Sequence, residues 1–323
     1  MVPAGALSMR PLATGTVLLA ATLALAACGE GGIFDFQQED AMSAEQMAFK
    51  QNEQQWREKR RADLLSEEGW TSLVGLHWIT PGPHFMGSDT DNGIRLAVGP
   101  DHLGMIDLRS DGRIRFVPER GVRVSVDGVP LARQAWLRTD AHPQGASRLE
   151  FDGGRGVATV IVRNDRHALR VWHQDAPTRV GFGSLGYWPA DPDWVVQARF
   201  EAHPEPRTLE VANIIGGFDA MPNPGVVVFE RDGAEHRLEA LDGGEQLFLV
   251  FADGTNGHGS YGAGRFLYVP RPDAGGRLEV NFNRAYSPPC AFTPFATCPL
   301  PPDQNRLALA VTAGEKAYQP PGS

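Results

Sequence analysis

Hydrophobic and polar positions along this chain follow three periods in turn. Residues 12–27, LATGTVLLAATLALAA, are continuously apolar. The next run, SAEQMAFKQNEQQWREKRRADLLSEEG, is polar, but Met42, Phe49, Trp56 and Leu64 recur along it at a seven- to eight-residue spacing. That spacing predicts a helix with a narrow buried stripe, laid across a sheet. Ser43 followed by Gln46 is a capping-box pattern, Glu45 suits the N-terminal dipole, and Lys59, Arg60 and Arg61 suit the other end. Gly69 is the expected stop.

From Gly69 onward the period becomes two. RIRFV, VRVSV, VATVIVR, TLEVANI, VVVFE, HRLEAL, QLFLVFA, RFLYV and RLEVNFN all read as strands. Asp-Gly pairs punctuate them at Asp111-Gly112, Asp127-Gly128, Asp152-Gly153, Asp232-Gly233, Asp242-Gly243 and Asp253-Gly254. Asp-Gly supplies the positive φ angles of tight hairpins. The expected fold is mainly β: an antiparallel sandwich or barrel-like sheets of roughly a dozen strands, with one N-terminal α-helix. The segment near 176–190 is rich in turn residues and aromatics. It is expected to mark a sub-lobe boundary or a long loop over one core.

Composition and charge narrow the class. The abundance of Gly (37) and Pro (25) agrees with many short strands. A formal charge of −9 argues against a nucleic-acid partner, which would require a basic face. The apolar run follows Arg10 and ends in Leu25-Ala26-Ala27-Cys28, the arrangement of a lipoprotein signal. Residues 1–27 are therefore expected to be a signal peptide. Cys28 is the expected lipid attachment point and residues 28–41 a flexible tether. Residues 42–323 form the β-rich region. The mature chain would then work in the cell envelope, on the outer membrane if the cell has one.

Lipidation of Cys28 leaves Cys290 and Cys298 as a pair in an oxidising compartment, where a disulfide is the default. Their C-x7-C spacing is unlike a zinc ribbon, and no metal or cofactor motif appears elsewhere. The nine histidines form no HxH or HExxH pattern, and neither a GxSxG elbow nor a GxxxxGK[ST] loop is present. The glycine-rich stretch FADGTNGHGSYGAGRFLYV surrounds His258, Ser260, Tyr261 and Arg265. It reads either as a binding lip for an anionic group or as a hairpin whose Arg265 pairs with an internal carboxylate.

The run NFNRAYSPPCAFTPFATCPLPPDQNRLALAVTAGEK resembles the signature of the bacterial domain of unknown function 1684 family. DGTNGHGSYGAGRFLYV and EEGWTSLVGLHWITPGPHFMGS resemble its other blocks, so the likeness is expected to run from about Trp56 to Lys316. The resemblance implies no activity. It does imply which positions belong to the signature, including Tyr261, Gly264, Arg265, Asn283, Tyr286, Cys290, Cys298, Asn305, Gly314 and Glu315.

The leading functional expectation is a lipid-anchored extracytoplasmic protein for small-ligand binding or envelope maintenance. It would meet the membrane through Cys28 and take a small anionic ligand. One alternative is an envelope hydrolase whose pocket is lined by Arg265 and the 283–305 segment. Tyr286 and Glu315 would then be the acid and base, and Tyr261, Arg265, Asn283 and Asn305 the ligand-binding side chains. Another is a purely structural protein with a disulfide latch.

Overall fold

The computed structural model describes residues 42–322. The expected signal peptide, the Cys28 attachment point and the tether lie outside the described residues. Among those described, no helix is long and apolar enough to cross a membrane.

Helix α1 (Ala44–Leu64) begins as the sequence requires. Ser43 Oγ accepts from the Gln46 N–H at 3.1 Å, and Gln46 Oε1 accepts from the Ser43 N–H at 2.9 Å. Its other end differs from expectation: the helix stops at Leu64, and Gly69 instead precedes a short 3-10 turn, Trp70–Ser72. The buried face differs too. Glu53 and Leu64 are its buried residues, whereas Met42 is exposed and Phe49 and Trp56 are half-buried. This helix docks largely through charge.

Strands then follow, antiparallel to their neighbours except for one short parallel pair, Met86–Gly87 with Ile94–Arg95. The first set comprises β1 (Leu73–Ile79), β2 (Gly82–Gly87), β3 (Ile94–Arg95), β4 (Gly104–Leu108), β5 (Ile114–Pro118), β6 (Ser125–Val126), β7 (Val129–Pro130), β8 (Ala135–Leu137), β9 (Leu149–Phe151), β10 (Gly156–Arg163) and β11 (Arg166–His173). They make two sheets, in the orders β1-β11-β10-β9-β6-β7 and β3-β2-β4-β5-β8. One core, including Leu103, Ile106, Phe116, Leu149, Val160 and Leu169, fills the space between them. The single turn α2 (Pro177–Val180) lies in the turn-rich segment.

The second set is β12 (Val195–Asn213), β13 (Gly217–Arg231), β14 (Ala234–Gly243), β15 (Gln246–Phe251), β16 (Arg265–Pro270) and β17 (Arg277–Asn281). It forms one antiparallel sheet in the order β16-β15-β14-β13-β12-β17, which curls until it nearly closes as a barrel. Its inside holds Trp194, Val227, Leu249, Phe251, Leu267 and Phe282. A further cluster, with Val211, Phe248, Val250, Phe266 and Cys298, lies on its outer face.

The Asp-Gly pairs divide by role. Both residues have positive φ at Asp127-Gly128, Asp152-Gly153 and Asp232-Gly233. Asp242-Gly243 instead lies within β14, with the turn made at Gly244 (φ +82°). Asn164-Asp165, which the Asp-Gly pattern does not cover, supplies the same backbone between β10 and β11.

Cys290 and Cys298 are joined by a disulfide, with Cα atoms 6.3 Å apart. The bridge closes a short loop that packs against both sets of strands. Thr293 Oγ1 donates to the Leu73 carbonyl at 3.3 Å, and the Ile214 N–H donates to the Cys298 carbonyl at 3.0 Å. Replacing the pair by Cys290→Ser with Cys298→Ala is expected to lower unfolding free energy by about 2–3 kcal/mol on the chain-entropy account. Urea titration of the two proteins checks this; equal midpoints would mean that the loop holds without its bridge.

Candidate functional site

Arg265 opens β16 and is fully buried. Its Nε and Nη2 donate to Asp253 Oδ2 at 3.3 and 2.8 Å. Nη1 donates to the Ala313 carbonyl at 2.5 Å, and Nη2 also to the Val311 carbonyl at 2.8 Å. Asp253 is equally enclosed, and its other oxygen accepts from Thr255 and from the Val311 N–H. The guanidinium is thus spent on an internal carboxylate and two carbonyls. Gly264 before it has φ +103°, and a Cβ there would come within 2.8 Å of the Phe251 carbonyl.

The two asparagines are spent in the same way. Asn283 Oδ1 accepts from the Asp191 N–H at 2.9 Å, and its Nδ2 donates to the Asp191 carbonyl at 2.8 Å. Asn305 Oδ1 accepts from the Glu239 N–H at 2.7 Å, and its Nδ2 donates to the Glu239 and Val250 carbonyls, each at 2.9 Å. Its amide bridges β14 and β15 beyond the point where their own ladder, Leu241–Gly243 with Gln246–Phe248, ends. Tyr261 donates its hydroxyl to the Cys290 carbonyl at 3.2 Å and lines a separate cleft with Gly257, Gly259 and Lys316.

Glu315 and Tyr286 do meet. Glu315 is fully buried, its Oε1 accepting from the Ser287 N–H at 3.1 Å and its Oε2 from Arg60 Nε at 3.3 Å. Arg60 reaches down from α1. Its Nη2 donates to the Ser287 carbonyl at 2.9 Å, and its guanidinium lies 4.4 Å from the Tyr286 ring centroid. Burial pushes the Glu315 carboxyl up, opposed by Arg60 and by Ser287. Burial also holds the Tyr286 phenol well above its ordinary range, so it is a neutral donor at physiological pH. Ser287 Oγ, Tyr187 Oη and Arg57 Nε are enclosed around this group without a partner at hydrogen-bond geometry.

A second ion pair docks the same helix with the signs exchanged. Glu53 of α1 accepts from Arg284 Nε at 3.1 Å and from Asn281 Nδ2 at 2.9 Å, with Arg284 Nη2 also 3.1 Å from its Oε1 as an ion pair. Between helix and barrel edge lies a cleft of about 390 Å³. Trp56, Lys59, Arg60 and Asp63 form its helical wall; Gln246, Tyr268, Arg284 and Tyr286 form the other. Among the described residues, Nη1 of Arg60, Nη1 of Arg284 and the hydroxyls of Tyr268 and Tyr286 are neither enclosed nor bonded to protein.

Sequence reasoning missed Trp56, Lys59, Arg60, Tyr268 and Arg284 as cleft residues. The signal was present on the helix: Glu53, Trp56, Arg57, Arg60 and Leu64 share one face at three- and four-residue steps. It also missed that Gly257-His258-Gly259-Ser260-Tyr261-Gly262 spells GxGxxG, although no helix follows it. For a metal, Asp89, Asp91 and His102 bring ligand atoms within 4.8 Å of one another, all three being exposed.

Two outcomes follow. Arg265→Ala strands the Asp253 carboxylate inside the barrel and is expected to cost about 3–5 kcal/mol in urea unfolding. Arg265→Lys should recover only part, since an ammonium lacks the planar fork. For Glu315, the raised native carboxyl means that the folded state binds the proton more tightly than the unfolded state. Its favourable contribution is full below the ordinary value of 4.5 and is lost as pH rises through the native value. Glu315→Gln should therefore gain stability relative to wild type as pH rises above 4.5. A relative stability that stays flat as pH rises above 4.5 would contradict the burial argument.

Comparison with known proteins follows the second set of strands. The family described as protein of unknown function (DUF1684) matches residues 180–316. The block Glu67–Ser88, expected to belong to the likeness, lies outside the matched residues. A solution NMR structure of an uncharacterized protein from Haloarcula marismortui is 33% identical, covering 43% of this chain and 78% of that one, with a TM-score of 0.37. No curated protein matches the chain. Residues 180–316 of the chain belong to the DUF1684 family, and every signature residue named above from Tyr261 to Glu315 lies within that segment.

Proposed function

We propose that this is a lipid-anchored cell-envelope protein that binds a small anionic ligand in the cleft between α1 and the barrel edge. The observation that carries the reading is the set of unspent donors: two guanidinium Nη1 groups and two tyrosine hydroxyls on facing walls, with the Lys59 ammonium beside them. Arginine and tyrosine donors around an aromatic floor suit a carboxylate or phosphate carried on a flat or ring-bearing molecule. Each cation already has a carboxylate, namely Asp63, Glu315 or Glu53, so the cleft offers hydrogen bonds and moderate attraction more than a bare positive field. The lipobox ending in Cys28 supports the anchor and the envelope location. Arg265, Asn283 and Asn305 have their donors committed inside the fold, so nothing in their geometry favours the hydrolase alternative.

Mass spectrometry of the membrane-extracted protein should find a diacylglyceryl group on Cys28, lost in Cys28→Ser; an unmodified N-terminus would remove the anchor from the reading. A thermal-shift screen of organic anions should find ligands that raise the melting temperature. The response should fall about tenfold in affinity in Tyr268→Phe/Tyr286→Phe, from losing two hydrogen bonds. Ligands that bind this double variant as tightly as wild type would place the site elsewhere.

A further inference from the structure

Away from the cleft, Arg170 is a largely buried cation that the fold leaves uncompensated. It sits in the middle of β11, paired across the ladders with Leu76 of β1 and Thr159 of β10. Its neighbours Leu169 and Val171 belong to the first core, so alternation sends the Arg170 side chain out of the other face. There its guanidinium carbon lies 5.7 Å from the Trp70 ring centroid and 5.8 Å from that of Trp172. Trp70 packs against the cluster on the outer face of the barrel sheet, so the group lies in the seam between the two sets of strands.

Burial lowers Arg170 to about 10, with Arg163 adding to the effect and Asp140 opposing it. Asp140 is itself held by Arg163 at 2.6 Å. Among the described residues Arg170 has no ion pair and no hydrogen bond. Nε is enclosed without an acceptor, and the terminal nitrogens, which are not enclosed, have none either. The indole Nε1 of Trp172, two residues on along the same face, is also enclosed and without an acceptor. Arg265, which is fully buried, shows how an enclosed guanidinium is satisfied, by a carboxylate and two carbonyls. An enclosed guanidinium Nε and an enclosed indole N–H that both lack acceptors are costly to keep, and an oxyanion at the open terminal nitrogens would compensate the charge.

We propose that Arg170 and Trp172 form an oxyanion site in this seam, taking a carboxylate or phosphate group between the indoles of Trp70 and Trp172. The planar fork grips two oxygens of one anion, and the flanking rings hold the guanidinium in the plane that presents it. The site shares no residue with the cleft under α1, so either reading can fail without the other.

The test is the melting temperature and tryptophan emission of the purified full-length protein as sodium phosphate, or sodium acetate, replaces sodium chloride at constant ionic strength. Phosphate alone acting would point to a phosphate group, and both acting to any oxyanion. Wild type should gain about 3 °C for each tenfold rise in the effective anion above its dissociation constant, with a change in emission. Arg170→Met keeps the length between the indoles without the donors and should respond less than wild type on both readouts, keeping only what the cleft under α1 contributes; Arg170→Lys should fall between the two. If Arg170→Met does not fold, Arg170→Lys and Trp172→Phe carry the test, each expected to weaken the response. The proposal is overturned if wild type ignores both anions, or if the Arg170 variants respond as wild type does.

Discussion

A guanidinium inside a β-barrel is the constraint around which the second half of this protein is arranged. Arg265 has no access to water, so its charge and N–H groups must all be met by protein. Asp253 meets the charge, and the carbonyls of Val311 and Ala313 take further donors. Those carbonyls belong to the chain's last segment, which makes no strand of its own. The buried charge therefore fixes where that segment runs. Gly314, at φ +81° with the Phe282 carbonyl 2.8 Å from where a Cβ would stand, turns it toward the helix side. Glu315 comes next and is buried in turn.

The consequence is a relay of alternating charges, Asp253, Arg265, Glu315 and Arg60, running from the barrel interior to the helix. Helix α1 has only Glu53 and Leu64 buried, so hydrophobic burial alone does not explain its docking. Arg60 with Glu315 and Glu53 with Arg284, one turn pair apart, hold it in register through ion pairs of opposite sense. A helix shifted along its axis would bring carboxylate to carboxylate. This polarity gives specificity of placement, and the enclosed carboxylates keep both pairs largely out of reach of screening by salt.

The alternation of period two made most of the fold legible. Where it failed, burial on both sides explains why. Strand β1, LVGLHWI, has the first core on one face and the seam on the other, so its burial pattern does not alternate. Strand β15 lies between two clusters, with Leu247, Leu249 and Phe251 on one side and Phe248 and Val250 on the other. QLFLVFA still reads as a strand, but its apolar run does not tell which side chains face which cluster. The capping box fixed the start of α1, but a glycine five residues past its last turn marked the following 3-10 turn instead of the end. At the candidate site, residue type was legible and burial was not. Asp253 reads as half of a turn pair, and nothing nearby in sequence announces that Arg265 will claim it. Residues 60 and 315 are brought together only by the nearly closed barrel.

The positions that mark the chain's family likeness divide cleanly by what they do. Gly264 and Gly314 hold backbone that a side chain would obstruct, while Arg265, Asn283, Asn305 and Glu315 satisfy buried main chain or buried charge. Cys290 and Cys298 close the loop that ties the two sets of strands. Each is an answer to the problem of bringing irregular chain against a closed sheet, where every N–H and carbonyl must find a partner. The unspent donors sit mostly elsewhere, on Arg60, Tyr268 and Arg284, with Tyr286 the shared member.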